Sequence, residues 1–304
     1  AHYVTQEIQD VVQDMGGSIT TALSAPGAKA SIDQRIDMLG TAGVDMQVLS
    51  VAGNQPYSKD AAKGAAGARR FNDLYKELTD KHSRHFAAFG CVPLPHLDAA
   101  IAEAVRCLDQ LHFAGITLGC SIAGRPLDDP AFDPFWAELD RRGTVVFLHP
   151  TGIGGPMMDA YGLEWKIGAC FEDTISALRI ASSGIPTRFP KVKVIIPHLG
   201  GTIPYLWYRL GDGSGSFELN GELRSRLRRL YYDSVNRAPG MICAGCRILG
   251  SDRVMLGTDF PYVAPENYKG FVAAVQESGL SPDEITAVLD LSLIHISEPT
   301  RQAE

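Results

Sequence analysis

The chain has 304 residues, of which 45% are hydrophobic and 21% charged, and its formal net charge is −7. This apolar fraction excludes an intrinsically disordered chain, and the mild acidity argues against a nucleic-acid-binding groove. Apolar runs such as 192–196 are far shorter than the roughly 20 residues of a membrane span, and six cysteines are too few for a disulfide scaffold, so we expect a cytoplasmic protein without a membrane partner.

Short apolar segments alternate with amphipathic segments along almost the whole chain. A helix is predicted to begin after Ser31, which can cap it, because Ile32, Ile36 and Leu39 share one helical face. Seven apolar segments are predicted strands, at 45–51, 86–92, 115–118, 144–148, 192–196, 230–233 and 254–257. Between them, helices are predicted at 61–81, 98–111, 130–142, 173–183 and 239–249.

The strict alternation of strands and helices predicts an α/β fold with a parallel sheet that helices cover on both faces. A doubly wound sheet usually carries a glycine-rich phosphate loop after its first strand, but segment 152–155 follows a middle strand and lacks that spacing. We therefore predict a single distorted (β/α)8 TIM-like barrel over residues 1–290. Its first strand is expected to be largely missing from the chain, because only seven strands are visible.

Three predicted strands end in an ionisable residue, and these residues are the main functional signal. His149, His198 and Asp259 each follow an apolar strand. A buried strand gains nothing from such an ending unless the group has a partner, and active sites of barrels lie at the carboxyl ends of the strands. Each histidine alone would be an ordinary structural residue, but the three together predict one shared site. Neutral imidazole and carboxylate groups bind divalent ions such as Zn²⁺.

The same segments carry a resemblance to a known family. They resemble the amidohydrolase-2 branch of the metal-dependent amidohydrolase superfamily, and within it the group of aminocarboxymuconate-semialdehyde decarboxylase and its relatives. The order and spacing of segments 43–50, 115–119 and 231–233 agree with that resemblance, as do Trp165 and segment 172–174. The motifs that carry it are His149-Pro150, His198-Leu-Gly-Gly201 and Leu256-Gly-Thr-Asp259-Phe-Pro261. The resemblance implies a distorted (β/α)8 barrel.

The resemblance also implies one divalent metal ion and no organic cofactor. Zn²⁺ is the expected ion, with Mn²⁺ or another divalent ion as the alternative. Its implied ligands are His2, His149 and Asp259, because Ala1-His2-Tyr3 resembles the last part of the family's His-x-His motif and the aromatic residue after it. A first histidine is expected just before residue 1. His198 corresponds to the catalytic histidine, and Asp259 is expected to serve both as ligand and as proton acceptor.

The implied reaction is decarboxylation of a small unsaturated or aromatic carboxylic acid, with a metal-bound water and His198 as acid/base. A hydrolase or lactonase with the same site and an inactive fragment are the alternatives. Trp165 corresponds to an aromatic residue that lines the pocket in the resembled enzyme, with an ordinary core tryptophan as the alternative, and Tyr161 is a candidate to cap the pocket. Segment 16–30 is short and has no arginine, which puts aminocarboxymuconate itself in doubt. A small molecule is the expected partner, and a homodimer is left open.

The last segment of the chain has an unusual composition. Residues 291–304 resemble the translation of a transposon adapter used in preparing sequencing libraries. We therefore expect this tail to be non-native, and we expect no function for His295. The alternative is a natural amphipathic segment.

Overall fold

The computed structural model describes residues 1–16, 21–211 and 222–290, so the expected tail at 291–304 lies outside the described residues. The strands are β1 (Gln47–Leu49), β2 (Phe86–Gly90), β3 (Gly115–Gly119), β4 (Ser121–Ile122), β5 (Arg125–Pro126), β6 (Val145–His149), β7 (Lys193–Ile196), β8 (Tyr231–Asp233) and β9 (Val254–Met255). Seven of them form a parallel sheet in the order β1-β2-β3-β6-β7-β8-β9, and β4 and β5 form a separate antiparallel pair. The seven predicted strands are therefore confirmed.

Helices separate the strands, as the alternation predicts. They are α1 (Gln6–Asp14), α2 (Ile32–Ala42), α3 (Ala61–Lys81), α4 (Leu97–Asp109), α5 (Asp133–Arg142), α6 (Ala169–Ser182), α7 (Ile185–Arg188), α8 (Ile203–Leu206), α9 (Leu223–Leu227), α10 (Pro239–Leu249), α11 (Lys269–Gln276) and α12 (Pro282–Asp290). Ser31 caps α2 as predicted, in a reciprocal capping box with Gln34. None of the described helices is both long and apolar enough to cross a membrane.

Side chains of the sheet alternate between the inside of the barrel and the helices outside it. Along β6, Val146 and Leu148 belong to the core shared with the helices, whereas Val145 and Phe147 belong to an inner cluster. Ile195 of β7 and other strand residues complete that inner cluster. Because the side-chain period of a strand is two residues, His149 follows Val145 and Phe147 on the inner face, at the carboxyl end of β6.

The first three residues of the chain lie between the two edges of the sheet. His2 forms a parallel bridge with Ser50, just after β1, and its backbone N–H donates to the carbonyl of Phe260 at 2.6 Å. Ser50 also exchanges backbone hydrogen bonds with Ala1 and Tyr3. The seven strands and this short segment together form the predicted barrel, and the segment brings the His2 side chain to the carboxyl ends of the strands.

A buried cation on α2 holds this closing segment. Nη1 of Arg35 donates to the carbonyl of His2 at 3.0 Å, and its guanidinium lies 4.6 Å from the ring centre of Phe260 and 5.1 Å from that of Tyr3. Burial lowers the pKa of Arg35 to about 10, so the group still carries its charge at neutral pH. The contacts with two aromatic rings and one carbonyl stabilise the buried charge.

Candidate metal centre

Three side chains from distant parts of the sequence meet at the carboxyl ends of the strands. One ligand atom from each of His2, His149 and Asp259 lies within 4.8 Å of the other two. The rings of His2 and His149 are nearly perpendicular, with centres 4.6 Å apart. Asp259 follows β9 and takes a left-handed backbone conformation with φ of 48°, next to Phe260, which accepts the hydrogen bond from His2. We call these three residues the metal cluster.

Outer hydrogen bonds orient both histidines of the metal cluster. Nδ1 of His149 donates to the carbonyl of Pro150 at 2.7 Å, which leaves Nε2 as the free ring nitrogen. Nδ1 of His2 lies 2.7 Å from Oγ of Ser50, while its Nε2 lies 2.9 Å from Oδ1 of Asp259. Histidines that bind metal ions in proteins usually have such a second partner on the other ring nitrogen.

The protonation states of the metal cluster also suit a divalent ion. Burial lowers the pKa of His2 to about 4 and that of His149 to about 3, so both rings are neutral at pH 7. Burial alone would raise the pKa of Asp259, but the nearby ring of His198 and the hydrogen bond with His2 outweigh it and hold that pKa well below its usual range. Two neutral imidazoles and one carboxylate form a ligand set that Zn²⁺ and Mn²⁺ both accept.

His198 lies beside the metal cluster and has a different environment. Its Nδ1 donates to Oδ2 of Asp173 at 2.7 Å, and its Nε2 lies 3.9 Å from Oδ2 of Asp259. Burial lowers the pKa of His198, but the two carboxylates outweigh this effect and raise it well above its ordinary value. Burial raises the pKa of Asp173, on α6, to about 6. The arrangement provides a charged imidazole whose Nε2 faces the metal cluster.

A second carboxylate fixes the backbone of His198. Oδ1 of Asp233, at the end of β8, accepts hydrogen bonds from the backbone N–H groups of His198 at 2.8 Å and Val235 at 3.1 Å. His198 and Leu199 both have left-handed backbone conformations, with φ of 54° and 55°. Asp173 therefore orients the ring of His198, and Asp233 holds the strained turn that carries it.

Asp173 and Asp233 were not among the predicted site residues, although both lie in segments that carry the family resemblance. Asp233 had a usable signal, because it ends an apolar strand just as His149 does. Asp173 had only a weak signal, since it lies inside a helix. Its contact with His198 depends on how α6 packs against the turn after β7.

That packing requires a glycine at position 201. Gly201 has a φ of 63°, and a Cβ atom there would lie 2.0 Å from the carbonyl oxygen of Cys170 on α6. We expect Gly201→Ala to lower the free energy of unfolding by about 2–4 kcal/mol, because the clash with backbone adds to the conformational strain. Urea titration of both proteins measures this loss.

Gly40→Ala is the matched control for that substitution. Gly40 lies within α2, and an added Cβ atom would have no neighbour within 4 Å. We expect this change to raise the free energy of unfolding by about 0.5–1 kcal/mol, since alanine restricts the unfolded chain and favours a helix. Equal effects of the two substitutions would contradict the proposed close approach of Gly201 to α6.

The segment after His149 is anchored by Glu172. The carboxylate of Glu172 accepts hydrogen bonds from the backbone N–H groups of Thr151 at 2.9 Å and Gly152 at 2.8 Å. Trp165 lies beside this segment, because a Cβ atom on Gly152 would be 3.4 Å from its ring. Tyr161 is 86% exposed. Contact of Trp165 and Tyr161 with a substrate stays a prediction.

Comparison with known proteins gives one consistent family. A family model described as amidohydrolase matches residues 2–291. The 2-amino-3-carboxymuconate-6-semialdehyde decarboxylase of Dictyostelium discoideum is 28% identical over 252 residues, which cover 78% of this chain and 68% of that protein. The gamma-resorcylate decarboxylase of a Rhizobium species is 30% identical over 253 residues, 76% of each chain. The 6-methylsalicylic acid decarboxylase of Aspergillus aculeatus is 28% identical over 300 residues, 94% of this chain and 90% of that one.

Solved structures have the same fold. A 2,6-dihydroxybenzoate decarboxylase in complex with 2,6-dihydroxybenzoate superposes with a TM-score of 0.84 at 21% identity, covering 98% of this chain and 97% of that one. A dihydroxybenzoic acid decarboxylase from a Polaromonas species, with bound manganese and an inhibitor, also gives a TM-score of 0.84. Its identity is 19%, over 99% of this chain and 96% of that one.

Proposed function

This chain belongs to the amidohydrolase family, and we propose that it is a metal-dependent decarboxylase of a small aromatic or unsaturated carboxylic acid. The observation that carries the proposal is the metal cluster, whose two histidines are buried, with the ring of His198 directly beside it. The quoted relatives support it, because their names describe decarboxylases of a carboxymuconate semialdehyde, a resorcylate and a methylsalicylic acid. They give no support to the alternative of a hydrolase or lactonase.

In this proposal, His2, His149 and Asp259 hold one divalent ion. The ion, when bound, would act as a Lewis acid that orients and polarises the oxygens of the substrate. Zn²⁺ suits the two imidazoles and the carboxylate, and Mn²⁺ is the second ion to test because it is bound in a similar structure. The outer partners Ser50 and the carbonyl of Pro150 keep the two histidines in place.

The chain's own acid in the proposed reaction is His198. Its Nε2–H donates a proton to the unsaturated carbon that bears the carboxylate, which forms a new C–H bond. The bond to the carboxylate then breaks, its electron pair restores the unsaturation of the substrate, and CO₂ leaves. One proton thus replaces one CO₂ on carbon. Asp173 holds the ring by its Nδ1, and Asp259 lies close enough to Nε2 to keep the imidazolium charged.

The proposal also includes two substrate-pocket residues, a cellular location and the domain organisation. We place Trp165 and Tyr161 near the substrate, because they belong to the segment that follows His149 along the chain. All six cysteines are free, which agrees with the reducing cytoplasm that we propose as the location. We treat residues 1–290 as one barrel.

Release of CO₂ tests the proposed function. Protein stripped of metal and reloaded with Zn²⁺ or Mn²⁺ should release CO₂ from at least one member of a panel of hydroxybenzoates and carboxymuconates. A chelator should abolish this CO₂ release, because the proposed reaction requires the ion held by the metal cluster. Lactones and aryl amides serve as the comparison panel.

Two outcomes would contradict this proposal. Acid release from lactones or amides without any CO₂ would favour the hydrolase alternative. Stoichiometric metal binding without turnover of either panel would favour an inactive chain that retains only ligand binding.

A further inference from the structure

A buried amide lies at the carboxyl end of the barrel strands and takes no part in the metal cluster. Gln55 follows β1 along the chain and is 7% exposed. Its Nε2 donates to the carbonyl of Ala52 at 3.3 Å and lies 3.5 Å from Oγ1 of Thr117 on β3. Because only the NH₂ group of an amide can donate to a carbonyl, Ala52 fixes the position of Nε2, and Oε1 is the acceptor that remains for another partner.

The carbonyl oxygen of this amide is its unusual feature. Oε1 of Gln55 is buried and has no hydrogen-bond partner among the residues that the structure describes. A buried acceptor without a partner costs free energy, and most buried side-chain oxygens in proteins have one. An O–H or N–H group of a bound molecule would complete the hydrogen bonds of this side chain.

The contact with Thr117 places the amide of Gln55 on the inner side of β3. The residues directly before and after Thr117 belong to the core shared with the helices, so Thr117 points into the barrel. Thr117 pairs in register with Phe147 of β6. The ring centre of Phe147 lies 6.5 Å from those of both His2 and His149. The amide therefore lies on the same inner surface as two members of the metal cluster.

Tyr57 anchors the same loop nearer to the metal cluster. Its Oη accepts a hydrogen bond from the backbone N–H of Gly119 at 3.0 Å, and Gly119 pairs in register with His149. The loop after β1 thus contacts β3 at two successive inner positions, Thr117 and Gly119. These positions are about 7 Å apart along the strand. One small aromatic acid bound at the metal cluster can therefore also contact this loop.

We propose that Gln55 binds the substrate and selects for a hydrogen-bond donor, a hydroxyl or an amino group, on its ring or unsaturated chain. The inference rests on the proposed function, in which the metal cluster binds the oxygens of that substrate. Oε1 of Gln55 accepts the hydrogen bond, while Nε2 stays on the carbonyl of Ala52. A methoxy group has no hydrogen to donate and would bring its own oxygen against Oε1. A site that pairs with a donor discriminates against an analogue that lacks one.

Calorimetric titration of the metal-loaded protein with nitrobenzenes tests the proposal. A nitro group has the shape of a carboxylate but cannot leave as CO₂, so binding is measured without turnover. The probes are the isomers of nitrophenol, nitroaniline and nitroanisole, under mildly acidic conditions in which the hydroxyl group keeps its proton. At least one nitrophenol or nitroaniline should bind about 10-fold more tightly than the nitroanisole with the same substitution pattern, and the tighter of the two identifies the donor.

Gln55→Met should remove this preference, because methionine has a similar length but no amide. We expect the preferred probe to bind about 10-fold more weakly, while the binding of the nitroanisole changes by less than about 2-fold. Gln55→Asn is the second variant, since it withdraws the oxygen by one methylene group, and it should lose the same preference. Circular dichroism and metal content show whether each variant is folded.

Gln47→Met is the matched control for these substitutions. Gln47 is also buried, and its Oε1 likewise has no partner within the described part of the chain. Its Nε2, however, donates to Oη of Tyr268, which belongs to a cluster outside the barrel. The substitution should therefore leave the preference for a donor unchanged.

Two results would overturn the proposed role of Gln55. One is that no nitrophenol or nitroaniline binds more tightly than its nitroanisole counterpart, and the other is a preference that survives both Gln55→Met and Gln55→Asn. Either result in a protein that releases CO₂ would remove this role and leave the proposed function intact. A preference that depends on Gln55 in a protein that releases no CO₂ would support the binding role and contradict only the decarboxylation.

Discussion

His149→Ala should abolish metal binding by the metal cluster and, with it, turnover. The substitution removes one of only three ligands that the described residues bring within 4.8 Å of one another. Loss of a group that only hydrogen-bonds to a metal ligand typically lowers metal affinity by roughly 10–100-fold. Loss of the ligand itself should therefore lower it by more than about 100-fold. The Lewis acid contributes several kcal/mol to catalysis, and we expect kcat to fall by at least about 10³-fold. Metal content after dialysis and steady-state kinetics measure the two effects.

His85→Ala is the matched control for that experiment. His85 directly precedes β2, so it lies at the amino end of the strands, opposite the metal cluster. Its substitution should change neither metal content nor kcat. If His149→Ala protein keeps one metal ion per chain and full turnover, the assignment of the metal cluster is wrong.

The strand pattern made the position of His149 predictable. Segment 144–148 is a run of apolar residues that a parallel sheet buries on both faces, and its end is marked by His149 and Pro150. Because parallel strands of a barrel all end at the same side, strand-end residues of different strands had to lie near one another. The same argument applied to Asp259 and His198, and it could have included Asp233.

His2 was predictable only through the family resemblance. A histidine at the second position of a chain has no periodicity around it, and its placement depends on partners that are far away in the sequence. The backbone of residues 1–3 bonds to Ser50 and Phe260, and the guanidinium of Arg35 on α2 holds it from outside. Such long-range hydrogen bonds do not follow from local propensity.

Asp173 and Arg35 show where sequence patterns stop being informative. Both lie on helices and are almost fully buried, whereas a charged residue in an amphipathic helix is normally assigned to its exposed face. Burial of each is compensated by a specific partner, His198 for Asp173 and the carbonyl of His2 for Arg35. Those partners depend on how the helices pack against the barrel, which a one-dimensional pattern does not contain.

His198→Ala should abolish turnover while the metal ion stays bound. His149→Ala, in contrast, should lose both turnover and the metal ion. General acid–base catalysis by a positioned side chain contributes about 10²–10⁴-fold, so kcat should fall by about 10³-fold. The metal should remain because Nδ1 of His198 is engaged by Asp173, and its Nε2 lies 3.9 Å from Asp259, outside the metal cluster.

Asp173→Asn is the companion to His198→Ala, because it leaves the ring of His198 in place and changes only its partner. An amide at position 173 cannot stabilise the imidazolium as a carboxylate does, so we expect an intermediate loss in kcat, about 10²-fold, with KM nearly unchanged. A purely structural role for Asp173 would lower stability without this selective loss in kcat.

Metal content separates the two possible roles of His198. The proposed acid contributes only to the step in which carbon is protonated, so its removal should affect kcat and leave one metal ion per chain. If His198→Ala protein instead loses its metal, then His198 is a ligand and the proton must come from another group. Asp259 is the next candidate, since its Oδ2 lies 3.9 Å from Nε2 of His198. Because Asp259 also belongs to the metal cluster, no substitution at that position could separate metal binding from proton transfer, and His198 is therefore the residue on which the mechanism can be tested.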